Sequence, residues 1–482
     1  MSNPFRSDRI ARFSLAGRLG TRFTFRDRPP RHRYGGDAHI LWLSVPIGVV
    51  AGLGALTFTA AIQWGTHFFL THLGGYTPAT TLGEGGGHPA SVFLRPWAIP
   101  LVVALGGLLA GFIVFKFAPE AEGHGTDAAI NAIHEDPTSI RARVVFVKLI
   151  ASAITIGSGG SGGREGPTAQ ISAGAASFLA RRMRLPLEQA RLLVTAGMAS
   201  GIASIFRAPL GGALLGVELL YTDDLEADAL MPSLVASVSG FLVYGTVIGF
   251  QPVFGTHMAV GFGTAAQFPL FALLGVAAGY VARMYAATFY GTARRFAAMR
   301  RIPDWLRPAL AGLVVGAIGL VIPGVLGTGY GTVSQMFSAK YVMSLPLLIV
   351  VLVPLGKIVA TSLSIGSGGS GGVFGPGMVI GATLGAAVWR VAESIEAPFH
   401  LEGTLSASPD IFIFVGMVAV FGAIAHAPLA MMLMVAEMTG DLGVVPPAML
   451  ALAIASLIAG ERSIYRSQLS TRFDRVDDDP GL

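Results

Sequence analysis

The chain runs to 482 residues, 52% of them hydrophobic and 13% charged, with a formal net charge of +5. Soluble domains carry roughly 25% charge, so this composition excludes an ordinary soluble fold and points to a polytopic membrane protein. Without cysteine there is neither a disulfide nor a thiolate metal site, and basic residues that flank apolar runs instead of forming a patch argue against a nucleic-acid partner.

Residues 1–36 come first, with Arg6, Arg9, Arg12, Arg18, Arg22, Arg26, Arg28, Arg31 and Arg33 against Asp8 and Asp27. Such a segment suits an organellar transit peptide, but a cytoplasmic juxtamembrane segment obeying the positive-inside rule is the expectation. No apolar stretch begins before Ile40, so no signal peptide is expected. Long weakly charged runs follow at 40–71, 97–117, 191–220, 231–250, 268–290, 308–323, 344–365, 409–438 and 446–460, each near or above spanning length. Basic clusters at Arg141 and Arg143, Arg181 to Arg184, Arg294 to Arg307, and Arg462 to Arg475 read as cytoplasmic. Segments 73–94 and 251–267 lack Lys and Arg, and 324–343 has only Lys340, so they read as external. Both termini are then expected inside, and no regulatory domain is expected in the short polar tail, 467–482, that follows Tyr465.

Within the membrane domain, 37–466, an internal repeat stands out. GSGGSGGREGP at 157–167 returns as GSGGSGGVFGP at 366–376, with Lys148 and Lys357 at the same offset of 209. Further on, Gly197-Met198, Ala208-Pro209-Leu210 and Glu218 match Gly416-Met417, Ala427-Pro428-Leu429 and Glu437 at an offset of 219. Two homologous halves are expected, near 40–250 and 268–465. Arg141 and Arg143 precede the first glycine turn, whereas 341–356 before the second is uncharged. The two copies should therefore enter the bilayer from opposite faces, the inverted-repeat pattern of transport proteins with a midplane site.

A glycine turn opening into a helix aims bare backbone N–H groups at one point, a ready anion site. Pro167 suits a first helical turn, so the helix dipole should point at Glu165. A carboxylate there stands in for a bound anion; protonated or swung away, it frees the N–H groups. A charge within the bilayer is costly and defaults to function; the plainer alternative has Glu165 capping the helix and pairing with Arg164. The second turn offers the N–H groups of Val373 and Phe374, with the Phe ring as a wall. GHGTD at 123–127 is a third glycine turn before helical sequence. Thr126 or Asp127 is a plausible N-cap, and His124 is a candidate N–H donor to the same anion. His124, His134, Glu135 and Asp136 match no standard metal spacing. GxGxxG occurs in both repeats, but embedded in apolar sequence it is a weak dinucleotide fingerprint. Tyr465, beside Arg462 and Arg466, reads by composition as an interfacial anchor. Glu218 and Glu437 end apolar helices; a structural bond to the following turns comes before a proton path.

These residues resemble the CLC family of chloride channels and proton-coupled chloride transporters: GREGP at 163–167, GVFGP at 372–376, APL at 208–210 and 427–429, and a tyrosine just past the final apolar run. The resemblance covers about 40–470. It implies an all-α polytopic membrane fold of two inverted-topology halves with re-entrant, tilted helices, assembled as a homodimer. It further implies that Glu165 is the gating glutamate, that the Tyr465 hydroxyl donates to a central anion, and that Arg164, Gly166, Val373 and Phe374 surround the pathway, the backbone N–H groups of Glu165, Gly166, Val373 and Phe374 serving as ligands. GHGTD departs from the family's usual GSGIP, which places His124 where a serine donates and leaves selectivity open. The proline of GREGP argues against a fluoride specialist. Leu219 stands where coupled members often carry an internal proton glutamate, next to Glu218. The expected activity is transport of chloride-like anions, as proton-coupled exchange or, alternatively, through a passive channel; neither enzyme activity nor a cofactor is expected. The expected setting is a bacterial inner membrane. Rival readings are a membrane-bound enzyme or nucleotide-regulated protein using the GxGxxG turns, and a structural scaffold.

Overall fold

The computed structural model describes residues 37–255, 265–396 and 408–474. The Arg-rich segment 1–36, residues 256–264 of the segment read as external, and the end of the tail from 475 lie outside the described residues.

The chain forms helices in the order α1 (Asp37–Thr66), α2 (Ala98–Phe117), α3 (Thr126–Glu135), α4 (Ala142–Gly157), α5 (Glu165–Met183), α6 (Leu187–Phe206), α7 (Pro209–Glu218) and α8 (Leu230–Ile248). The order continues with α9 (Phe268–Ala298), α10 (Arg307–Val321), α11 (Tyr330–Met336), α12 (Ala339–Ser344), α13 (Leu347–Gly366), α14 (Phe374–Glu396), α15 (Pro409–Ala425), α16 (Pro428–Thr439) and α17 (Val445–Ala459). No strand forms among the described residues, where pairing outside helices is limited to isolated bridges. Nine of the helical segments described are long and apolar enough to cross a membrane.

Two runs that read as single spans are each broken in two. Residues 191–220 divide at Arg207, whose φ is 55°, and 409–438 divide at His426, whose φ is 52°. The cause is the APL motif: proline has no N–H to continue the ladder and keeps the preceding alanine out of the helical region. The chain turns through a left-handed residue and restarts, with Pro209 and Pro428 in the first turn of α7 and α16. Conversely, α4, α5 and α14 fall outside the apolar runs read from the sequence. Their Gly, Ser and Arg content lowers hydropathy, and α5 and α14 face protein rather than lipid: almost every residue from Glu165 to Ser177 and from Phe374 to Ala387 is buried.

Those two helices form the centre with α6 and α15. The packing is backbone against backbone, as small residues allow. A Cβ on Gly381 would lie 2.2 Å from the Gly416 carbonyl oxygen, and one on Gly416 would lie 2.2 Å from that of Gly381. Around this centre, α1, α2, α8, α9, α10 and α17 turn large apolar side chains outward, among them Trp42, Leu101, Met231, Leu273, Val314 and Leu457. An exposed apolar girdle over a buried polar middle suits lipid as solvent.

A candidate anion site at two crossed glycine turns

The turn between α4 and α5 crosses the turn between α13 and α14. Gly163 N–H donates to Gly372 O at 2.7 Å, and Gly372 N–H donates to Gly163 O at 2.6 Å. Such reciprocal bonds relate the copies by a local two-fold. The flanking hydroxyls follow: Ser161 Oγ lies 2.9 Å from Thr361 Oγ1, and Ser370 Oγ lies 2.9 Å from Ser152 Oγ. A Cβ on Gly372 would come within 2.9 Å of Gly163 O and of Gly166 N, so the crossing needs glycine there.

The buried lysines obey the same two-fold. Lys148 Nζ donates to Ala121 O (3.0 Å) and Gly123 O (2.7 Å); Lys357 Nζ donates to Val325 O (3.0 Å) and Gly327 O (2.8 Å). Each ammonium pins the turn that opens a short helix, GHGTD before α3 and GTGYG (327–331) before α11. Four helix N-termini, those of α3, α5, α11 and α14, therefore begin in the interior, where their dipoles favour negative charge.

Glu165 begins α5 and is 1% exposed. Its carboxylate crosses to the other half: Oε2 accepts from Gly375 N–H at 3.1 Å, at the tip of α14, and Oε1 accepts from the Tyr330 hydroxyl at 2.5 Å. The alternative of a Glu165–Arg164 pair is not what forms. Arg164 Nη2 binds Glu84 Oε1 at 2.5 Å, and its guanidinium lies 5.6 Å from the Tyr330 ring centre. Tyr330 carries no conspicuous signal of its own in the sequence. The signal was the glycine spacing of GTGYG, which copies that of GHGTD at an offset of 204 and was masked by differing letters.

His124, whose carbonyl oxygen abuts Gly166, and its neighbour Tyr465 lie next to the start of α5. The structure corrects the surface placement of Tyr465: it is 1% exposed, its ring 5.6 Å from that of His124 and 6.4 Å from that of Phe421. It is drawn in because the chain after α17 folds back, with Ile464 N–H on Ile424 O and the Tyr290 hydroxyl on Ile464 O. The Tyr465 hydroxyl and His124 Nδ1 are both buried without a hydrogen bond among the described residues. Phe374 walls the site against Phe421 and Phe206, at 4.3 and 5.1 Å between ring centres. The Val373 carbonyl accepts from the Tyr285 hydroxyl at 2.9 Å. Gly125, at a φ of 80°, is the N-cap of α3 rather than Thr126 or Asp127; Asp127, already inside the helix, uses Oδ1 to accept from Ser467 N–H of the returning tail. His134 Nε2 stands 2.9 Å from Leu220 O.

With this geometry in view, comparison with known proteins is decisive. A family model described as "Voltage gated chloride channel" matches residues 106–460. The chain belongs to this CLC family. The voltage-gated ClC-type chloride channel ClcB of Escherichia coli strain K12 is 30% identical over 89% of this chain and 97% of its own. Among solved structures, a slow cyanobacterial Cl⁻/H⁺ antiporter aligns with a TM-score of 0.72 at 22% identity, covering 88% of this chain and 96% of the other. A CLC-type fluoride/proton antiporter aligns at 0.73 and 22%, covering 91% and 99%. At that identity the two structures attest the fold alone, and they place this chain in the all-α CLC fold.

Glu218 and Glu437 are joined across the halves. Glu218 accepts from Leu429 N–H (3.1 Å) and Ala430 N–H (2.7 Å) at the start of α16, while Glu437 accepts from Leu210 N–H (3.1 Å) and Gly211 N–H (2.7 Å) at the start of α7. Each carboxylate spends both oxygens as a charged cap on the other half's helix. Leu219, next to Glu218, is fully buried.

Proposed function

We propose that this protein carries chloride across a membrane in exchange for protons, with Glu165 alternately filling and leaving the anion site. The observation that carries the reading is the seat of the Glu165 carboxylate, on the Gly375 N–H and the Tyr330 hydroxyl where the two glycine turns cross. A carboxylate held by helix-tip donors occupies what a halide would otherwise occupy. His124 Nδ1 and the Tyr465 hydroxyl supply a second set of donors next to the start of α5. Gly166, Val373 and Phe374 contribute backbone N–H groups between them, and Arg164 acts through Glu84 and Tyr330 rather than on the central anion. Pro167 in GREGP favours chloride over fluoride. The protein works as a homodimer in a bacterial inner membrane with both termini cytoplasmic, the basic clusters supplying the orientation; it is a transporter and not an enzyme, and it needs no cofactor.

One observation favours a second reading, a passive gated channel: Glu218 is committed to α16 and Leu219 carries no proton, so a relay from inside to Glu165 would need water. The two are separated by measuring chloride and proton flux in the same vesicles. An exchanger drives protons uphill on a chloride gradient, and a channel does not. Glu165→Gln should abolish the pH dependence of chloride flux, and with it proton movement. An unaltered pH response in that variant would remove Glu165 from the gate.

A further inference from the structure

The side chain of Arg207 is 1% exposed, yet its Nε, Nη1 and Nη2 make no hydrogen bond among the described residues. Glu84 Oε1 stands 3.7 Å from Nη2, and that oxygen is already held by Arg164 Nη2 at 2.5 Å. Arg164 keeps its own Nε buried and unbonded. Two buried guanidinium groups share one carboxylate oxygen, which leaves Arg207 with a long ion pair and no hydrogen bond among the described residues. A buried guanidinium that is ion-paired but not hydrogen-bonded is expensive, and an arrangement that retains one is suited to a mobile counter-ion.

Arg207 cannot simply turn to solvent. It closes α6 in the left-handed region, with α7 starting two residues on, and Gly83 passes so near that a Cβ there would lie 2.8 Å from Arg207 Nη2. Glu84, in contrast, rides on a light strap. Gly83 N–H reaches Val253 O at 3.2 Å, while Glu84 N–H and Gly87 N–H fold back on Thr81 O. Gly85, Gly86 and Gly87 follow, all at positive φ, a backbone that glycine adopts at little cost. The cluster abuts the gate, because the Tyr330 ring lies against Arg164 and its hydroxyl holds Glu165.

We propose that Arg164 and Arg207 form a further anion-binding site, on the Glu84 side of Glu165, which Glu84 fills here and which a small monovalent anion such as chloride takes when the strap lifts. The site deepens the transport reading, on which its purpose rests: two carboxylates in series, each standing where the anion will stand, admit it stepwise.

Glu84→Gln removes the competing charge and keeps the shape. In purified full-length protein, this variant should melt lower than wild type in gluconate. Chloride or bromide should restore it, through a halide-dependent component that Glu84→Gln/Arg207→Gln lacks. Bromide-soaked crystals of Glu84→Gln should show an anomalous peak between the two guanidinium groups. If Glu84→Gln does not fold, Arg207→Gln alone should raise the chloride concentration for half-maximal uptake about fivefold, the loss of roughly 1 kcal/mol of anion binding. Intact, Glu165-dependent flux with no bromide at Arg207 and no extra halide component overturns the site and spares the transport reading. A bromide peak at Arg207 in a protein that moves no anion leaves the site standing and sinks the transport reading. An unchanged half-maximal concentration in Arg207→Gln also counts against the site.

Discussion

Glu165 is positioned by three residues that do nothing else in common. Gly163 leaves room for its carboxylate, since a Cβ there would lie 2.3 Å from Oε2; Gly375 gives an N–H; Tyr330 gives a hydroxyl. Of these, the tyrosine is the one open to conservative change. A hydrogen bond to a charged partner is worth about 1.5–3 kcal/mol. Tyr330→Phe weakens the plugged state by about that amount, while an anion at the second set of donors, His124 and Tyr465, keeps its partners, so chloride flux near neutral pH should rise by about tenfold. Equal flux in the two proteins at matched reconstitution density would show that the hydroxyl does not latch the gate. The residue scale is also where sequence reading falls short. Tyr330 sits in GTGYG, whose partner GHGTD shares only its glycines, and the two turns become equivalent through the lysine contacts that Lys148 and Lys357 make.

Among the elements, the broken helices do two jobs. The breaks at Arg207 and His426 let α7 and α16 start inside the protein, and the N-terminus of each is then capped by a glutamate at or near the end of the other. That exchange ties the halves together by four backbone hydrogen bonds to carboxylates. It also bears on proton transfer, because a carboxylate whose oxygens are both engaged is a poor relay. Glu218→Gln should cost about 1–2 kcal/mol, as expected for a charged helix cap, and lower the melting temperature while the proton-to-chloride ratio stays as in wild type. A lost ratio with unchanged melting would restore Glu218 to a proton path. The sequence already aligned Glu218 with Glu437 and put the structural role first. It did not show that each serves the opposite half, because a one-dimensional repeat carries no information on which copy faces which.

Across the whole molecule, the returning tail locks the last helix onto the first half. Leu469 N–H donates to Leu220 O and Thr222 N–H to Leu469 O, and Arg472 Nε lies 3.5 Å from Asp224 Oδ2. Glu226 belongs to this seam, 4% exposed and bonded to the Tyr221 hydroxyl at 2.7 Å. Burial, reinforced by Asp228, pushes its carboxyl up to about 7. The folded form therefore holds a proton that the unfolded chain releases near pH 4.5. The sign follows: this group's contribution to stability is fully present below that pH and is lost as pH rises through 7. Melting of the wild type should fall across that window, and Glu226→Gln should flatten the curve. Parallel curves for the two proteins would place the pH sensitivity elsewhere.

The sequence by itself determined the class of the protein, because low charge, apolar runs and a duplicated glycine turn are local properties that survive without coordinates. It also picked out Glu165, since an acid at a helix start inside a bilayer is conspicuous on chemical grounds alone. Only the tertiary structure decided what that acid touches, that Glu84 holds Arg164, and which ring Tyr465 lies against. Those depend on contacts between residues far apart in the chain, 84 with 164 inside the first half and 165 with 330 or 124 with 465 across the two halves, and such pairings come from folding, not from the order of letters.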